Sequence, residues 1–455
     1  MAAPPTTLVL FARALRLDDH PALAEAAAKG PVLPLFLDGP ETDLPQPDQV
    51  GRPWLGATLD LLDADLRARG SRLIRRRGVV ADVLPPLLDG VGAVFLQRGL
   101  TPGARALEDA LRAVCTPRGV AVEIFEGETL YPPEAVRTRQ GGVFKVFTPF
   151  HRACDGGGPP PPPEPAPDRL APPPAWPDDQ PLDIADDGLD TAMWPPGEAG
   201  AMAQAEAFLD RALATYGDQR DVPASDIGAS GLSVPLRFGT LGPRRLWHLA
   251  DGRPGAAPFQ RQLAWRDFAH HLLFHAPGLM DRPLRPEFAR FPWLADTVPG
   301  AWTDGRTGFP VIDAGLRQLA ATGWMHNRVR MIAASFLVKD LLVDWRAGAA
   351  DFRRRLLDWD PANNTLGWQW VAGCGPDAAP YFRIFNPVLQ SRKFDPHGAY
   401  IRAWVPELAG LADRHVHAPW EAPGGPPAGY PPPLVDRAVT RQRALDAFAT
   451  LRDDA

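Results

Sequence analysis

"WLGATLDLLDADLRARG", residues 54–70, lies between two short apolar runs, "VLPLFL" (32–37) and "SRLIRR" (71–76). Leu55, Leu59, Leu62 and Leu66 recur at spacings of four and three, which gives a helix one apolar stripe. Such a helix must lie on another apolar surface, and flanking runs of strand length supply one. The alternation continues outward. "TLVLFA" (7–12) and "PALAEAAAK" (21–29) come before, and "AVFLQR" (93–98), a further helical stretch and "VAVEIF" (120–125) come after. Five buried strands alternating with helices predict a doubly wound parallel sheet within an α/β unit over residues 1–155. No GxGxxG follows the first strand and no GxxxxGK[ST] occurs anywhere, so this unit carries no phosphate loop of its own.

"GGGPPPPPEPAPDRLAPPPAWPDDQPL" (156–182) then interrupts the pattern. Proline lacks a backbone N–H and holds the chain extended, so residues 156–197 read as a linker, long for a compact protein. Beyond it the strand pattern disappears. "EAGAMAQAEAFLDRALATY" (198–216), "FQRQLAWRDFAHHLLFH" (259–275) and "MHNRVRMIAASFLVKDLLVDW" (325–345) are helical, which predicts an all-α unit over 198–455. Ten of the fourteen tryptophans follow residue 260, so the aromatic chemistry belongs to that unit.

The whole-chain composition, 45% hydrophobic and 22% charged over 455 residues, is that of a globular protein with ample core. No run of about 18 uncharged apolar residues is present, and the first residues lack the basic leader of a signal peptide. Cys115, Cys154 and Cys374 are too scattered for a disulfide framework or a CxxC zinc site. A cytoplasmic protein is expected. Net charge is −6, yet Arg261 to Arg355 holds 14 Arg/Lys against 9 Asp/Glu. That concentration suits a phosphate-tracking surface, and equally an ordinary solvated helix face.

Several familiar chemistries are excluded. "GLSVP" (231–235) ends in proline where a nucleophile elbow needs glycine. "HLLFH" (271–275) has zincin spacing without the glutamate, and its histidines read as structural. What remains is aromatic, amide and arginine chemistry. "SGLSVPLRFG" (230–239) offers two hydroxyls and free N–H groups at the start of a helix, which suits a pyrophosphate or, more plainly, a Ser cap. "GWMHNRVRM" (323–331) sets Asn327, Arg330 and Met331 within about one turn, and "DWDPANN" (358–364) adds Asp358 and Asp360 to pair with that arginine. In "NNTLGWQW" (363–370), Trp368 and Trp370 project about 200° apart on a helix and serve two sites, unless both are simply core.

These blocks carry a resemblance. "YGDQRDVP" (216–223), "LAWRDF" (263–268), the run from Thr307 to Trp345 and "LGWQWVAGCGPDAAPYFRIFNP" (366–387) are similar to the cryptochrome/photolyase family. "LRLDDHPAL" (15–23) and "FKVFTPF" (144–150) extend the likeness to the first unit. Within the family the chain most resembles bacterial photolyases that repair cyclobutane pyrimidine dimers. The resemblance implies FAD in the helical unit. Tyr216 and residues Ala229, Ser230, Gly231, Leu232 and Ser233 would surround its phosphates, with Ala229 replacing the usual threonine. Arg330, Asp358, Trp359 and Asp360 would hold the isoalloxazine region, and Asn364 would face flavin N5. Trp368, Trp345 and Trp293 match a relay of electrons to the surface. Trp265 and Trp370 match the walls of a pocket for a flipped-out dimer, with Asn327 and Met331 beside it and Arg220, Arg266 and Gln390 near the DNA.

Three departures stand out. Gln262 replaces the glutamate usual in dimer photolyases, and a neutral amide can donate to a thymine carbonyl but cannot release a proton. "FLQRGLTP" (95–102) and Met280-Asp281 lack the folate-antenna contacts, and "FARALRL" (11–17) has Ala12 and Ala14 where Arg and Asp are usual. A deazaflavin, another antenna chromophore or an empty antenna site stays open. The expected partner is DNA carrying pyrimidine dimers, bound by a monomer without membrane or metal. The alternatives are a photosensory cryptochrome and a flavoprotein without DNA chemistry. Met331 and Asn364 favour repair, because six-four photolyases place His and plant cryptochromes Asp at those positions.

Overall fold

Strands form at Thr6–Phe11 (β1), Val32–Asp38 (β2), Ile74–Arg77 (β3), Val91–Gln97 (β4) and Ala121–Phe125 (β5). They come from a computed structural model that describes residues 4–182, 184–225, 227–377 and 382–453. All pair in parallel, in the order β3-β2-β1-β4-β5. The period of two sorts the side chains between two cores. Val9 and Phe11 join Leu23 of the helix Pro21–Lys29 and the stripe Leu55, Leu59, Leu62 and Leu66 of the helix Arg52–Ala68. Leu8 and Leu10 face the other way, toward Leu107 and Leu111 of the helix Pro102–Cys115. Each stripe leucine is essentially inaccessible and contributes about 1.5–3 kcal/mol through burial. The doubly wound expectation holds, with one correction. β5 is not a buried strand: it pairs with β4 at the edge of the sheet, and Ala121 and Glu123 are exposed.

Between the helices that end at Gly156 and begin at Gly197, the described residues of the Pro-rich segment form no helix or extended strand, but the segment is tied down rather than loose. Val32 N–H donates to Ala171 O (2.9 Å) and Leu170 N–H to Arg69 O (2.8 Å). Along β3, Arg75 N–H donates to Asp179 Oδ1 (2.8 Å) and Gln180 N–H to Arg75 O (3.1 Å). Its last aromatic, Trp194, is fully buried and donates its indole N–H to Gly231 O (3.0 Å).

After residue 197 the chain is helical, apart from an isolated bridge between Ala295 and Val343 among the described residues. Val234, Phe238, Trp324 and Leu357 of this part share a core with β1 and the helix Arg52–Ala68. In open α/β sheets the ligand crevice lies where strand order reverses, here beyond the ends of β1 and β4. That crevice is filled by the chain itself. Arg16 donates to Gly239 O (2.9 Å), Asp19 O (2.7 Å) and Gln97 Oε1 (3.3 Å). Gly239 approaches so closely, with φ +67°, that any side chain there would strike the Arg13 carbonyl. Among the described residues no helix is long and apolar enough to cross a membrane.

Candidate functional site

The helix Pro361–Ala372 organises the site. Asp360 caps it by accepting from Asn363 N–H (2.9 Å), Pro361 opens it and Gly373 closes it in the left-handed region. Trp368 and Trp370 therefore leave the helix in different directions, as their spacing predicts. Trp368 is buried edge-on against Phe352 (5.0 Å, 71°). Trp370 is half-buried and donates its indole N–H to Asp377 O (3.2 Å).

Between this helix and the helices Ala256–His275 and Asn327–Ser335 lies a cavity of ≈ 540 Å³, within the usual range of about 300–1,000 Å³ for a ligand pocket. Tyr216, Ser230, Leu232, Ser233, Arg330, Asp358 and Asp360 line it. Arg220, Gln262, Trp265, Arg266, Asn327, Met331 and Trp370 open onto the same space. A smaller cavity of ≈ 190 Å³ is lined by Trp359, Asn364 and Trp368 together with Asn327, Arg330, Met331, Asp358 and Asp360. Arg330 grips both carboxylate oxygens of Asp358 (3.0 and 2.8 Å) and donates to Met325 O (2.7 Å). Asn364 donates to Ala349 O (3.1 Å). Ser230 accepts from Leu232 N–H (3.3 Å) and Ser233 from the Trp324 indole (3.3 Å), so both hydroxyls keep a proton to donate.

Asp360 departs from the expected pairing. It meets Arg13 (3.1 Å) and His270 (3.4 Å) instead of Arg330, whose guanidinium is taken by both oxygens of Asp358. Glu128 completes the cluster, with Arg13 at 3.1 Å and Arg266 at 2.9 Å. Burial alone would raise the Asp360 pKa, but His270, Arg13 and Arg266 overcome it and hold the carboxyl well below its ordinary range. Glu128, His270 and Asp360 have the spacing of metal ligands. Two guanidinium groups already neutralise them, and arginine-compensated carboxylates are poor cation ligands. Arg266 is thus committed to Glu128 while lining the cavity.

The aromatic slot has its own support. The Trp265 ring lies flat on Phe147 (3.7 Å, 6°) and edge-on to Phe268 (5.9 Å). Gln262, half-buried at the mouth, reaches Pro258 O (3.4 Å) with its amide. Asn327 contacts Met331 S (3.8 Å). His326 caps the helix that carries them by accepting from Arg328 N–H (3.1 Å), and burial pushes its pKa down to about 4.

Other expected residues lie off the cavity. Gln390 sits on the helix Pro387–Phe394 and does not line it. Ala229 packs half-buried against the sheet core, and Gly231, at φ +67°, holds the turn against Trp194 and Gln204. The positive stretch from Arg261 to Arg355 is largely an internal ion-pair set. Arg285, Arg317, Arg328, Arg330, Arg346 and Arg355 all pair with carboxylates, and Lys339 is fully buried. His271 and His275 are structural as read: their rings meet edge-on (4.7 Å), and burial lowers His271 to about 4.

Residues not anticipated include Arg13, Glu128 and His270, and Arg237 and Asn363 in the larger cavity. Asn363 was legible as the neighbour of Asn364. Arg13 had one signal, a charged residue directly after a buried strand. Trp345 starts the helix Trp345–Arg355 and is buried in the core cluster that contains Trp368. Trp293 packs half-buried against the same cluster. Leu294 N–H to Leu342 O and Asp344 N–H to Ala295 O (both 2.8 Å) lay its segment beside the one leading into Trp345.

An aromatic-walled slot opens into an Arg- and Asn-lined cavity on helices docked to a doubly wound sheet, an arrangement suited to a cofactor beside a ring-bearing substrate. Comparison with known proteins agrees. Residues 7–168 match the family described as DNA photolyase, and residues 259–450 match the FAD binding domain of DNA photolyase. The chain is 40% identical to the deoxyribodipyrimidine photo-lyase of Agrobacterium fabrum, over 98% of each protein. It superposes on a bacterial class III photolyase from Agrobacterium tumefaciens with a TM-score of 0.92 at 38% identity, covering 100% of this chain and 98% of that one. A cryptochrome from Synechocystis gives 0.89 at 27% identity, with 98% and 100% covered. The chain belongs to the DNA photolyase family.

Proposed function

We propose that this protein is a deoxyribodipyrimidine photo-lyase, which holds FAD and uses light to split cyclobutane pyrimidine dimers in DNA. The observation that carries the reading is the single ≈ 540 Å³ cavity shared by the polar cofactor residues and the aromatic slot. Electron transfer between cofactor and dimer is faster the shorter the gap, and a shared cavity keeps that gap short. The donors present fit FAD. Arg237 is buried in the cavity wall with Nη1 unpartnered, and the buried Trp359 indole N–H likewise lacks a partner. A bound dinucleotide with carbonyls and phosphates satisfies such donors. Bound, reduced and excited by light, FAD supplies the electron that opens the cyclobutane ring and receives it back.

The chain's own residues perform the rest. Residues 1–155 form the antenna-type unit, 156–197 the linker and 198–455 the unit that holds the cofactor. Tyr216, Ser230, Leu232 and Ser233 enclose the phosphates, with Ala229 and Gly231 shaping the turn that presents them, while Arg330, Asp358, Trp359, Asp360 and Asn364 fix the ring system. Trp265 and Trp370 sandwich the extruded bases, and each aromatic–base stack contributes about 1–3 kcal/mol. Met331 and Asn327 line the slot between the two walls. Gln262 donates to a pyrimidine carbonyl, worth about 0.5–1.5 kcal/mol net. Arg220, Arg266 and Gln390 belong to the DNA side. Trp293, Trp345 and Trp368 pass electrons inward from an external reductant. The protein acts as a monomer in the cytoplasm.

The test is repair of a dimer-containing oligonucleotide by prereduced protein, in blue light and in darkness. Light-dependent repair is expected. In Trp368→Phe, photoreduction with external reductant should be largely lost while repair by prereduced protein persists. FAD-loaded protein that binds the oligonucleotide and never repairs it would move the reading to the photoreceptor.

A further inference from the structure

The two walls of the slot stand on different helices, Trp265 on Ala256–His275 and Trp370 on Pro361–Ala372. One residue outside both connects them. Asp377 accepts the Trp370 indole N–H at its backbone carbonyl (3.2 Å) and the backbone N–H of Phe147 at its carboxylate Oδ2 (2.8 Å). Phe147 in turn lies flat against Trp265, with ring centroids 3.7 Å apart and planes 6° from parallel. Arg261, one turn before Trp265 on the same helix, covers the Phe147 ring at 4.7 Å.

The local chain is built to put Asp377 there. Gly373, Cys374 and Gly375 all donate to Gln369 O (3.0, 3.0 and 2.9 Å), folding the backbone over the end of the helix so that Pro376 enters the cavity wall. Asp377 itself adopts φ +54°, a region that costs a non-glycine residue energy and that Asp tolerates better than most. The helix Phe147–Gly156 has no side-chain cap of its own, since Val146 occupies that position. The Asp377 carboxylate replaces it at the positive end of the helix, anchoring Phe147.

We infer that Asp377 is a positioning residue that sets the gap and alignment between Trp265 and Trp370, and through them the preference for dimerised over single bases. The inference rests on the dimer-repair reading. A cyclobutane dimer is a rigid, non-planar pair of rings and is thicker than one flipped base. A slot of fixed width therefore favours it, and a slot free to collapse onto one base does not.

The experiment compares FAD-loaded wild type, Asp377→Ala, Asp377→Asn and Phe147→Leu for affinity toward dimer-containing and undamaged oligonucleotides of one sequence. FAD content and photoreduction are measured alongside. Asp377→Ala should lower the ratio of the two affinities on the order of tenfold, a part of what a complete stacking wall supplies, with photoreduction unchanged. Asp377→Asn keeps a side-chain oxygen to accept from Phe147 and should restore the ratio. An unchanged ratio in Asp377→Ala, or an Asn variant as impaired as Ala, overturns the inference. Should Asp377→Ala fail to retain FAD, Phe147→Leu decides, because it keeps the backbone bond and removes the flat ring: a wild-type ratio there overturns the inference. A wild type that does not discriminate at all removes the dimer reading itself, and the clamp with it.

Discussion

Gly348 lies inside the helix Trp345–Arg355, where glycine ordinarily costs about 0.5–1 kcal/mol relative to alanine. Here it touches the electron relay. A methyl at 348 would fall closer than 3.0 Å to Cη2 and Cζ3 of Trp368 and lie 2.8 Å from Cδ2 of Leu337. Non-bonded carbons rest at about 3.5–4.0 Å, so the indole would retreat by on the order of 1 Å. It has little room, since Trp368 is 2% exposed and already meets Phe352 edge-on. Overpacking of this kind costs about 1–3 kcal/mol, against a helix gain of about 1 kcal/mol. Gly348→Ala should therefore come out destabilising by about 0–2 kcal/mol. Gly367 provides the control. It lies on the helix that carries Trp368 and would meet no atom within 4 Å, so Gly367→Ala should stabilise the cofactor-free protein by about 0.5–1 kcal/mol. The assays are urea unfolding of both variants without cofactor, and blue-light reduction of oxidised FAD in Gly348→Ala with external reductant. Photoreduction should slow, because the first ring of the relay has moved. A Gly348→Ala protein as stabilised as Gly367→Ala and reduced at the wild-type rate would refute both the packing argument and the place of Trp368 in the relay.

Gln262→Glu should raise the repair yield of prereduced protein at saturating substrate, because a carboxyl can share a proton with the reduced dimer while the amide cannot; an equal or lower yield counts against that role. Arg13→Met should release FAD and cost about 3–5 kcal/mol, since it strips the guanidinium from Glu128 and Asp360 in the interior; urea unfolding and released-flavin absorbance would show this, and retention of both stability and FAD would contradict it. Asp267, buried with two backbone N–H partners, has its pKa pushed up by burial to about 7. A raised carboxyl stabilises the fold fully below its unfolded pKa of about 4 and loses that contribution as pH rises through about 7. Asp267→Asn should thus gain on wild type by a few kcal/mol between pH 4 and pH 8, and a stability difference independent of pH would rule this out.

The sheet was legible because its strands are continuous apolar runs and its long helix carries a single leucine stripe, both local signals. β5 misled because an apolar run reports strand formation, not the number of neighbours, and only the assembled sheet makes an edge. The cavity was legible where several functional residues lie within a few positions of each other, as in "DWDPANN" and "GWMHNRVRM". Arg13 and Glu128 were not, since Arg13 meets Asp360 across 347 residues of sequence and Glu128 meets Arg266 across 138. The charge count from Arg261 to Arg355 left two readings open for the same reason, as partners such as Glu407 and Asp221 lie outside that window.

The Pro-rich segment along β3 has a consequence for the behaviour of the protein in a crowded cell. An open β-edge is a template for a strand from another molecule, and proteins must blunt it. Here Asp179 and Gln180 occupy the hydrogen-bonding groups of Arg75. The surrounding prolines have no N–H with which to extend the ladder. The tether between the two halves thus doubles as a terminator of the sheet, which relieves β3 itself of the need for a disruptive sequence. Shortening the tether to bring the halves closer would expose that edge, and the price would be self-association rather than lost catalysis.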